Sequence, residues 1–309
     1  MTILLANFMG PVERWADPIQ AALPDEQLFT DLENVDLSSV DVVLMSHGVP
    51  GIFSRLPNLE LIIALQAGVD GLLKTSDLPF NVPIVRSSPP QGDPMIMEYV
   101  LLHVLRHHRE MPYFLENQRQ LVWKKPEIYQ ACERRVGFMG LGLMAYKCAE
   151  MLRDIGFQVT CWTRTKKTHE GIKSFVDDDG LEPFLRQTDI LINVLPLTPA
   201  TEDILSARSL SMLPSGASVI NIGRGQHIVD QDLIDLLDSG HLAGATLDVF
   251  RQEPLATDHP FWKHPKITLM PHTARKTRPI DIVPQIKENV LRLRANQPLL
   301  QVIDLHAGY

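Results

Sequence analysis

Residues 135–145 read RVGFMGLGLMA, and this stretch decides what fold we expect of the whole chain. A strand-like apolar run leads into Gly140-Leu141-Gly142-Leu143-Met144-Ala145, which fits the pattern G-x-G-x-x-G/A. The first glycine permits a tight turn, the second lets the backbone approach a pyrophosphate, and the small last residue keeps helix and strand close. A helical pattern follows and stops at Gly156. Strand, glycine loop and helix in this order predict a dinucleotide-binding unit.

The composition limits the class of protein. A chain of 309 residues suggests two domains, because one domain commonly holds roughly 100–200 residues. The net charge of −8 argues against a nucleic-acid binder, which needs surplus Lys and Arg. No apolar run approaches the roughly 18–20 residues of a membrane span. Three cysteines without a CxxC pair fit free, buried thiols. We therefore expect a cytoplasmic protein that binds neither nucleic acid nor membrane.

Two series of short apolar runs follow one another along the chain. TILLANF, VDVVLMSHG, LELIIALQAG and VPIVRSS make the first series, and RVGFMG, QVTCWT, ILINVLP, SVINIG, ATLDVF and ITLMPH make the second. Helical patterns separate most of these runs, which is typical of parallel sheets covered by helices on both faces. The sequence therefore predicts an α/β fold with two doubly wound, Rossmann-like sheets.

The domain limits follow from turn residues and from the tail. Pro89-Pro90 and Gly92-Asp93-Pro94 punctuate the end of the first series. The final apolar run, LLQVIDL, is too short for a domain and is expected to return to the first one. We predict a discontinuous, flavodoxin-like substrate-binding domain of residues 1–97 plus 278–309, and a dinucleotide-binding domain of residues 98–277.

The second strand of the dinucleotide unit ends in a basic stretch, CWTRTKK at 161–167. An Asp or Glu at this place would bond the adenosine ribose and favour NAD. No acidic residue lies between Gln158 and His169, and cationic and hydroxyl donors of this kind suit the 2′-phosphate of NADP. We predict NADP, with NADPH preferred over NADH, and assign the contacts to Thr163, Arg164, Thr165 and Lys166.

A helical segment at 95–118 carries His103, His107 and His108. Two histidines four residues apart can bind a metal, but no glutamate stands in the HExxH place. We predict no metal site and interpret these histidines as solvated or interdomain residues.

Three further motifs each follow a predicted strand. NIGRG at 221–225 contains Arg224, LDVFRQEP at 247–254 contains Asp248 and Glu253, and PHTA at 271–274 contains His272. Open α/β sheets bind ligands beyond the carboxyl ends of their strands. Arg224 can bind a carboxylate in a bidentate manner, and His272 can act as a general acid. If Glu253 reaches the other ring nitrogen, it would orient His272 and favour its charged form.

In this order the motifs resemble the D-isomer-specific 2-hydroxyacid dehydrogenase family over essentially the whole chain. LQAGVDGL, LTPATEDIL, LSMLPSGASVINIGRG and DVFxxEP carry the resemblance. CWTRTKK, HPKITLMPHTA, the TRP at 277–279 and the terminal Gly-Tyr look like a subgroup of bacterial reductases that act on glyoxylate and hydroxypyruvate. The resemblance implies an active site in the cleft between the domains and NADPH-dependent reduction of small 2-oxo acids.

The resemblance also implies site residues. Arg224, Glu253 and His272 would be catalytic, and Gly68 and Val69 would bind the substrate carboxylate through backbone N–H groups alongside Arg224. The nicotinamide end of the cofactor would contact a further set, which comprises Leu195, Pro196, Ile222, Gly223, Asp248, His272 and Ala274. A homodimer formed through the dinucleotide-binding domain would be usual for the family.

Two places depart from the family pattern. Asp93-Pro94 stands where Gly-Glu or Asn-Ala is more common, and Arg275 and Lys276 stand where residues are commonly small or apolar. Added cations would attract an acidic substrate or the cofactor phosphates. Two other functions stay open: a 2-hydroxyacid dehydrogenase for phosphoglycerate or a bulkier 2-oxo acid, and a nucleotide-sensing interaction protein on the same fold.

Overall fold

A computed structural model describes residues 1–89, 92–305 and 307 of the chain. Pro90 of the predicted boundary and the terminal Gly-Tyr of the resemblance lie outside the described residues. The chain divides into two compact units, Met1–Pro90 with Thr277–Tyr309, and Gln91–Lys276. The predicted domain boundary lies at residue 97. The boundary between the two units precedes the helix Pro94–His108, so this helix belongs entirely to the second unit.

The strands and helices alternate along most of the chain. The strands are β1 (Thr2–Asn7), β2 (Gln27–Phe29), β3 (Val40–Met45), β4 (Leu61–Ala64), β5 (Ile84–Arg86), β6 (Arg135–Met139), β7 (Gln158–Thr163), β8 (Ile172–Val176), β9 (Ile190–Asn193), β10 (Ala217–Asn221), β11 (Leu242–Leu247) and β12 (Ile267–Leu269). The α-helices are α1 (Glu13–Ala22), α2 (Asp70–Leu73), α3 (Pro94–His108), α4 (Met111–Arg119), α5 (Leu143–Ile155), α6 (Asp177–Leu185), α7 (Ala207–Leu210), α8 (Asp230–Asp238) and α9 (Pro279–Arg294).

The first unit is built on a parallel sheet in the order β2-β1-β3-β4-β5, the flavodoxin-like order. Ile3 and Leu5 of β1 face α1 and α9, whereas Leu4 points into the core on the opposite face. Both faces are therefore covered, as continuous apolar strands require. The tail lies along β5, where the Ile303 amide donates to the Ile84 carbonyl at 2.8 Å.

The second unit holds a seven-stranded parallel sheet in the order β12-β11-β10-β9-β6-β7-β8. Helices α3 and α5 pack on one face, with Val100, Cys148 and Leu152 buried there. Strand order reverses between β6 and β9, so the carboxyl ends of these strands form the switch point at which such sheets bind ligands. The predicted fold of two doubly wound parallel sheets is confirmed.

One strand of each sheet was not predicted. β2 and β8 lie at sheet edges, and β8 reads IKSFV, in which Lys173 and Ser174 interrupt the apolar run. Most side chains of both strands are at least partly exposed, so neither has the continuous apolar run of a buried parallel strand. Cys148 and Cys161 are buried free thiols, but Cys132 is exposed, contrary to expectation. Within the described ranges, no helix is both long and apolar enough to cross a bilayer.

Candidate functional site

The glycine loop joins β6 to α5 at the switch point. Gly140 has φ +91°, which disfavours any residue with a side chain, and its amide donates to the Trp162 carbonyl at 2.9 Å. Gly142 caps α5 with no side-chain hydrogen bond, and a Cβ added there would meet no heavy atom within 4 Å. The N-terminus of a 13-residue helix therefore opens onto free space, an arrangement that suits a pyrophosphate.

The basic stretch begins where β7 ends. Thr163 is buried, and its hydroxyl donates to the Thr165 carbonyl at 2.8 Å, so this side chain shapes the turn. Arg164, Thr165 and Lys166 are exposed. Close by, the rings of Tyr146 and His169 stack with centroids 4.0 Å apart. The strand end thus presents cationic groups and no carboxylate, as predicted for the neighbourhood of a 2′-phosphate.

Arg224 follows β10 and is partly buried. Its Nη1 donates to the Gly223 carbonyl at 2.8 Å. The next residue, Gly225, is pressed against the backbone beyond β11: an added Cβ would lie 1.8 Å from the carbonyl carbon of Phe250. The loops after β10 and β11 are therefore in direct contact. This contact brings Arg224 towards the loop that carries Glu253.

Glu253 and His272 form a hydrogen-bonded pair. Oε2 of Glu253 lies 2.7 Å from Nδ1 of His272, and Oε1 accepts from the Phe250 amide at 2.9 Å. The His272 side chain is about half exposed, and Glu253 engages Nδ1, the ring nitrogen other than the proposed proton donor Nε2. A carboxylate fixed at both oxygens holds the ring and favours a proton on Nδ1. This orienting contact is the one expected of a general acid.

Asp248 fixes the backbone beside His272. Its buried carboxylate accepts from the Thr273 amide at 2.8 Å and the Ala274 amide at 3.0 Å, and its carbonyl accepts from the His272 amide at 2.8 Å. His272 itself has φ +53°, an unusual conformation for a residue with a side chain. Asp248 therefore anchors the turn that presents the imidazole, a role that the sequence did not predict.

Predicted cofactor residues at the ends of β9 and β10 rest on a buried polar cluster. Asn193, Asn221 and His227 form the cluster, and each is 0% exposed. Through hydrogen bonds they connect the segment at Leu195-Pro196 to the segment at 222–224. Sequence reasoning missed all three, although for Asn193 and Asn221 a polar residue ending an otherwise apolar strand was the available signal; His227 lies in a turn and had no such signal.

Gly68 and Val69 belong to the other unit, between β4 and α2. Val69 is buried and precedes the first residue of α2 without a side-chain cap. Gly68 is partly exposed. Their assignment as carboxylate donors stays a prediction.

The two departures from the family pattern meet within the second unit. Nε of Arg275 donates to Oδ2 of Asp93 at 2.6 Å, and Oδ1 of Asp93 accepts from the Met95 amide at the start of α3. The Arg275 and Asp93 side chains are 10% and 6% exposed. Arg275 is therefore a buried, neutralised charge, and the expectation that it adds a free cation is wrong. Lys276 is exposed.

Comparison with known proteins shows which family has a similar sequence. Residues 101–274 match the family model described as D-isomer specific 2-hydroxyacid dehydrogenase, NAD binding domain. Glyoxylate/hydroxypyruvate reductase A of Yersinia enterocolitica is 33% identical over the full length of both chains.

The chain belongs to the D-isomer-specific 2-hydroxyacid dehydrogenase family.

Solved structures of this dehydrogenase family resemble the chain throughout. A member from Xanthobacter autotrophicus Py2, determined in complex with NADPH and MES, is 37% identical with a TM-score of 0.95, covering 100% of this chain and 99% of that one. An NADPH-dependent glyoxylate/hydroxypyruvate reductase from Sinorhizobium meliloti, in complex with NADP and sulfate, is 32% identical with a TM-score of 0.90 over the same shares.

Of the two alternatives predicted for the histidines of α3, solvated or interdomain, the solvated one is wrong. His103, His107 and His108 are buried rather than solvated. Burial lowers the pKa of His103 to about 4 and that of His107 to about 3. Nε2 of His107 lies 3.0 Å from the Thr246 hydroxyl of β11. The His107 ring thus packs between α3 and the sheet, and no cluster of metal-ligating side chains occurs among the described residues.

Proposed function

We propose that the protein is an NADPH-dependent reductase of small 2-oxo acids, with glyoxylate and hydroxypyruvate as substrates. The observation that carries this proposal is the Glu253–His272 pair, in which Oε2 of the glutamate lies 2.7 Å from Nδ1 of the imidazole. The pair follows strands β11 and β12, beside the β10 loop that bears Arg224. Relatives bearing the name glyoxylate/hydroxypyruvate reductase A support the choice of substrate.

The chain offers a fitting place for the dinucleotide. The N-terminus of α5 and the open space above Gly142 suit the pyrophosphate. Arg164 and Lys166, supported by Thr163 and Thr165, would hold the 2′-phosphate of NADP. Leu141, Leu143 and Met144 would line the loop, and Leu195, Pro196, Ile222, Gly223, Asp248, His272 and Ala274 the nicotinamide end. When bound, NADPH supplies the hydride that reaches the carbonyl carbon of the substrate.

The residues of the chain supply the carboxylate anchor and the proton. Arg224 would bind the substrate carboxylate with its planar fork and polarise the carbonyl oxygen. Gly68 and Val69 would add backbone N–H donors. His272 would donate a proton from Nε2 to the carbonyl oxygen, while Glu253 orients the ring through Nδ1. In the oxidative direction His272 would accept the same proton.

We also propose that the enzyme is a homodimer formed through the dinucleotide-binding domain. Leu121 and Trp123, which follow α4, are 94% and 97% exposed, and Leu102 and Met111 of the adjoining helices are also exposed. Such a concentration of exposed apolar side chains is typical of an interaction surface. Light scattering would test the proposal: the wild type should have twice the chain mass and Trp123→Lys the mass of one chain. A monomeric wild type would refute it.

A cytoplasmic location stays a prediction from the sequence.

One panel assay tests the reaction. The purified protein is mixed with NADPH or NADH and with glyoxylate, hydroxypyruvate, phosphohydroxypyruvate and a branched 2-oxo acid, and the loss of reduced-nicotinamide absorbance is followed. We expect the fastest turnover with NADPH and the two small acids. A preference for the phosphorylated or branched acid would favour another dehydrogenase of the family. NADPH binding without turnover of any acid would instead favour a nucleotide-sensing protein.

A further inference from the structure

The buried cluster of Asn193, Asn221 and His227 lies beneath two loops at once. Asn193 ends β9 and precedes Leu195-Pro196, and Asn221 ends β10 and precedes Arg224. Because all three side chains are 0% exposed, their hydrogen bonds are made with neighbouring protein groups. The position of each loop therefore depends on how the cluster is paired.

The orientation of the His227 ring follows from a backbone donor. The Arg224 amide donates to Nδ1 at 3.1 Å, and Nδ2 of Asn193 approaches the same nitrogen at 2.8 Å. Nδ1 therefore carries no proton, and the neutral ring has its proton on Nε2. Nε2 faces the Pro196 carbonyl at 3.3 Å. One imidazole thus binds the Arg224 loop by one nitrogen and the Pro196 loop by the other.

The two asparagines complete the cluster. Oδ1 of Asn193 accepts from the Leu195 amide at 3.3 Å, and its Nδ2 donates to Oδ1 of Asn221 at 2.9 Å. Asn221 also accepts from the Gly223 amide at 3.2 Å and donates to the Arg224 carbonyl at 2.9 Å. Both the amide and the carbonyl of Arg224 are therefore held by buried side chains.

The packing leaves the cluster little freedom. A Cβ placed on Gly223 would lie 3.0 Å from both Nδ2 of Asn193 and Nδ1 of His227. A side chain at residue 223 would therefore require the cluster or the loop to shift by a few tenths of an ångström.

We propose that His227 is a positioning residue with two separable contacts. Nδ1 sets the place of Arg224 and hence of the substrate carboxylate, and Nε2–H sets the place of Pro196 beside the nicotinamide cofactor. The inference rests on the proposed function and adds to it. A displacement of about 1 Å in such a group can reduce rates by about 100-fold, so a lost hydrogen bond beneath the loop should be measurable.

Two amide substitutions separate the contacts. In His227→Asn the side-chain oxygen can replace Nδ1 as acceptor, but nothing reaches Pro196. In His227→Gln the longer amide can replace the Nε2 donor, but no acceptor remains for the Arg224 amide. We expect His227→Gln to raise the KM for hydroxypyruvate about tenfold and leave the NADPH Kd within about twofold. His227→Asn should show the reverse pattern.

The measurements are steady-state kinetics and NADPH titration by fluorescence, which requires no turnover. His107→Gln is the matched control, since it also replaces a buried imidazole by an amide; thermal stability should fall while KM and Kd stay unchanged. Equal shifts of both constants in both His227 variants, or no shift in either, would overturn the proposal.

A second variant covers the case in which His227→Gln does not fold. Asn221→Asp keeps the acceptor for Gly223 but loses the donor to the Arg224 carbonyl, so KM alone should rise, and an unchanged KM would count against the proposal. If the wild type reduces no 2-oxo acid, the proposed function fails by itself. The Arg224 contact is then measured by calorimetric titration of oxalate into the NADPH complex, where His227→Gln should weaken oxalate about tenfold.

Discussion

Asp93 and Arg275 are each other's buried partner, although 182 residues separate them in the chain. They lie near the two ends of the second unit, which spans Gln91–Lys276. Nη1 and Nη2 of Arg275 are buried and have no hydrogen-bond partner among the described residues, so Asp93 provides its charge compensation. The two departures from the family pattern therefore compensate for one another.

Stability should show this coupling. Asp93→Ala leaves a buried guanidinium without its counter-charge, and we expect a loss of about 3–5 kcal/mol in the free energy of unfolding. Arg275→Ala should cost less, because Asp93 still accepts from the Met95 amide. The double variant should be more stable than the sum of the single losses predicts. Urea unfolding of the wild type, the two single variants and the double variant completes this double-mutant cycle. Strictly additive losses of unfolding free energy would contradict the coupling of Asp93 and Arg275.

Removing the imidazole should stop the reaction without releasing the cofactor. We expect His272→Gln to lower kcat by about 10²–10⁴-fold, the usual worth of a general acid, with the NADPH Kd nearly unchanged. Glu253→Gln should give a smaller loss, since the amide oxygen can still accept from Nδ1 and orient the ring. Kinetics and fluorescence titration test both variants, and a fully active His272→Gln would exclude the proposed proton donor.

Cofactor choice should depend on Arg164. A charge-assisted hydrogen bond contributes about 1.5–3 kcal/mol, so Arg164→Ala should weaken NADPH about 10–100-fold. NADH lacks the 2′-phosphate and should bind the variant as it binds the wild type. Lys167→Ala is the control, because we assign Lys167 no phosphate contact. Equal weakening of both cofactors by Arg164→Ala would mean that this side chain does not hold the phosphate.

Acid should destabilise the fold through His103. Burial, reinforced by the charge of Arg106, lowers the pKa of His103 to about 4. The unfolded chain binds a proton below about pH 6.5 and the native ring does not, so stability is present above pH 6.5 and is lost as pH falls towards 4. Between pH 7 and 5 the loss from His103 is about 2 kcal/mol.

His103→Leu should reduce the pH dependence by this amount. Both ring nitrogens of His103 have no hydrogen-bond partner in the described part of the chain, so leucine leaves no new group unpaired. His47→Gln, in which the replaced ring is exposed, should keep the wild-type dependence. Urea unfolding at pH 7 and pH 5 measures the loss of stability of each protein between the two pH values. An equal loss in His103→Leu and in the wild type would show that His103 is not its source.

The sequence predicted the central strands and the residues that follow them. Runs such as ILIN and SVIN are apolar because helices cover both faces of the sheet, and parallel strands end at one edge. The placement of His272 beyond β12 could be expected from strand ends, whereas the pairing with Glu253, six residues beyond β11, also needed the family resemblance. The short edge strands β2 and β8 carried no comparable signal.

Tertiary partners were beyond such reasoning. The helical pattern of α3 does not show that its histidines are buried, because burial depends on what packs against each side of the helix. The contact between His227 and the Arg224 amide depends on a loop conformation rather than on a repeating pattern. Asp93 and Arg275 were identified as unusual residues, but their spacing in sequence gave no reason to pair them.

The backbone of His272 is left-handed, a conformation that costs folding free energy but presents the imidazole of the proposed proton donor. Such a φ, +53°, costs about 1–2 kcal/mol for most residues but suits glycine and asparagine, neither of which can transfer a proton. Asp248 offsets this cost, because its carbonyl and carboxylate accept from the amides of His272, Thr273 and Ala274. The conformation at residue 272 is thus imposed from outside the residue, and proton transfer depends on a carboxylate that need not touch the 2-oxo acid.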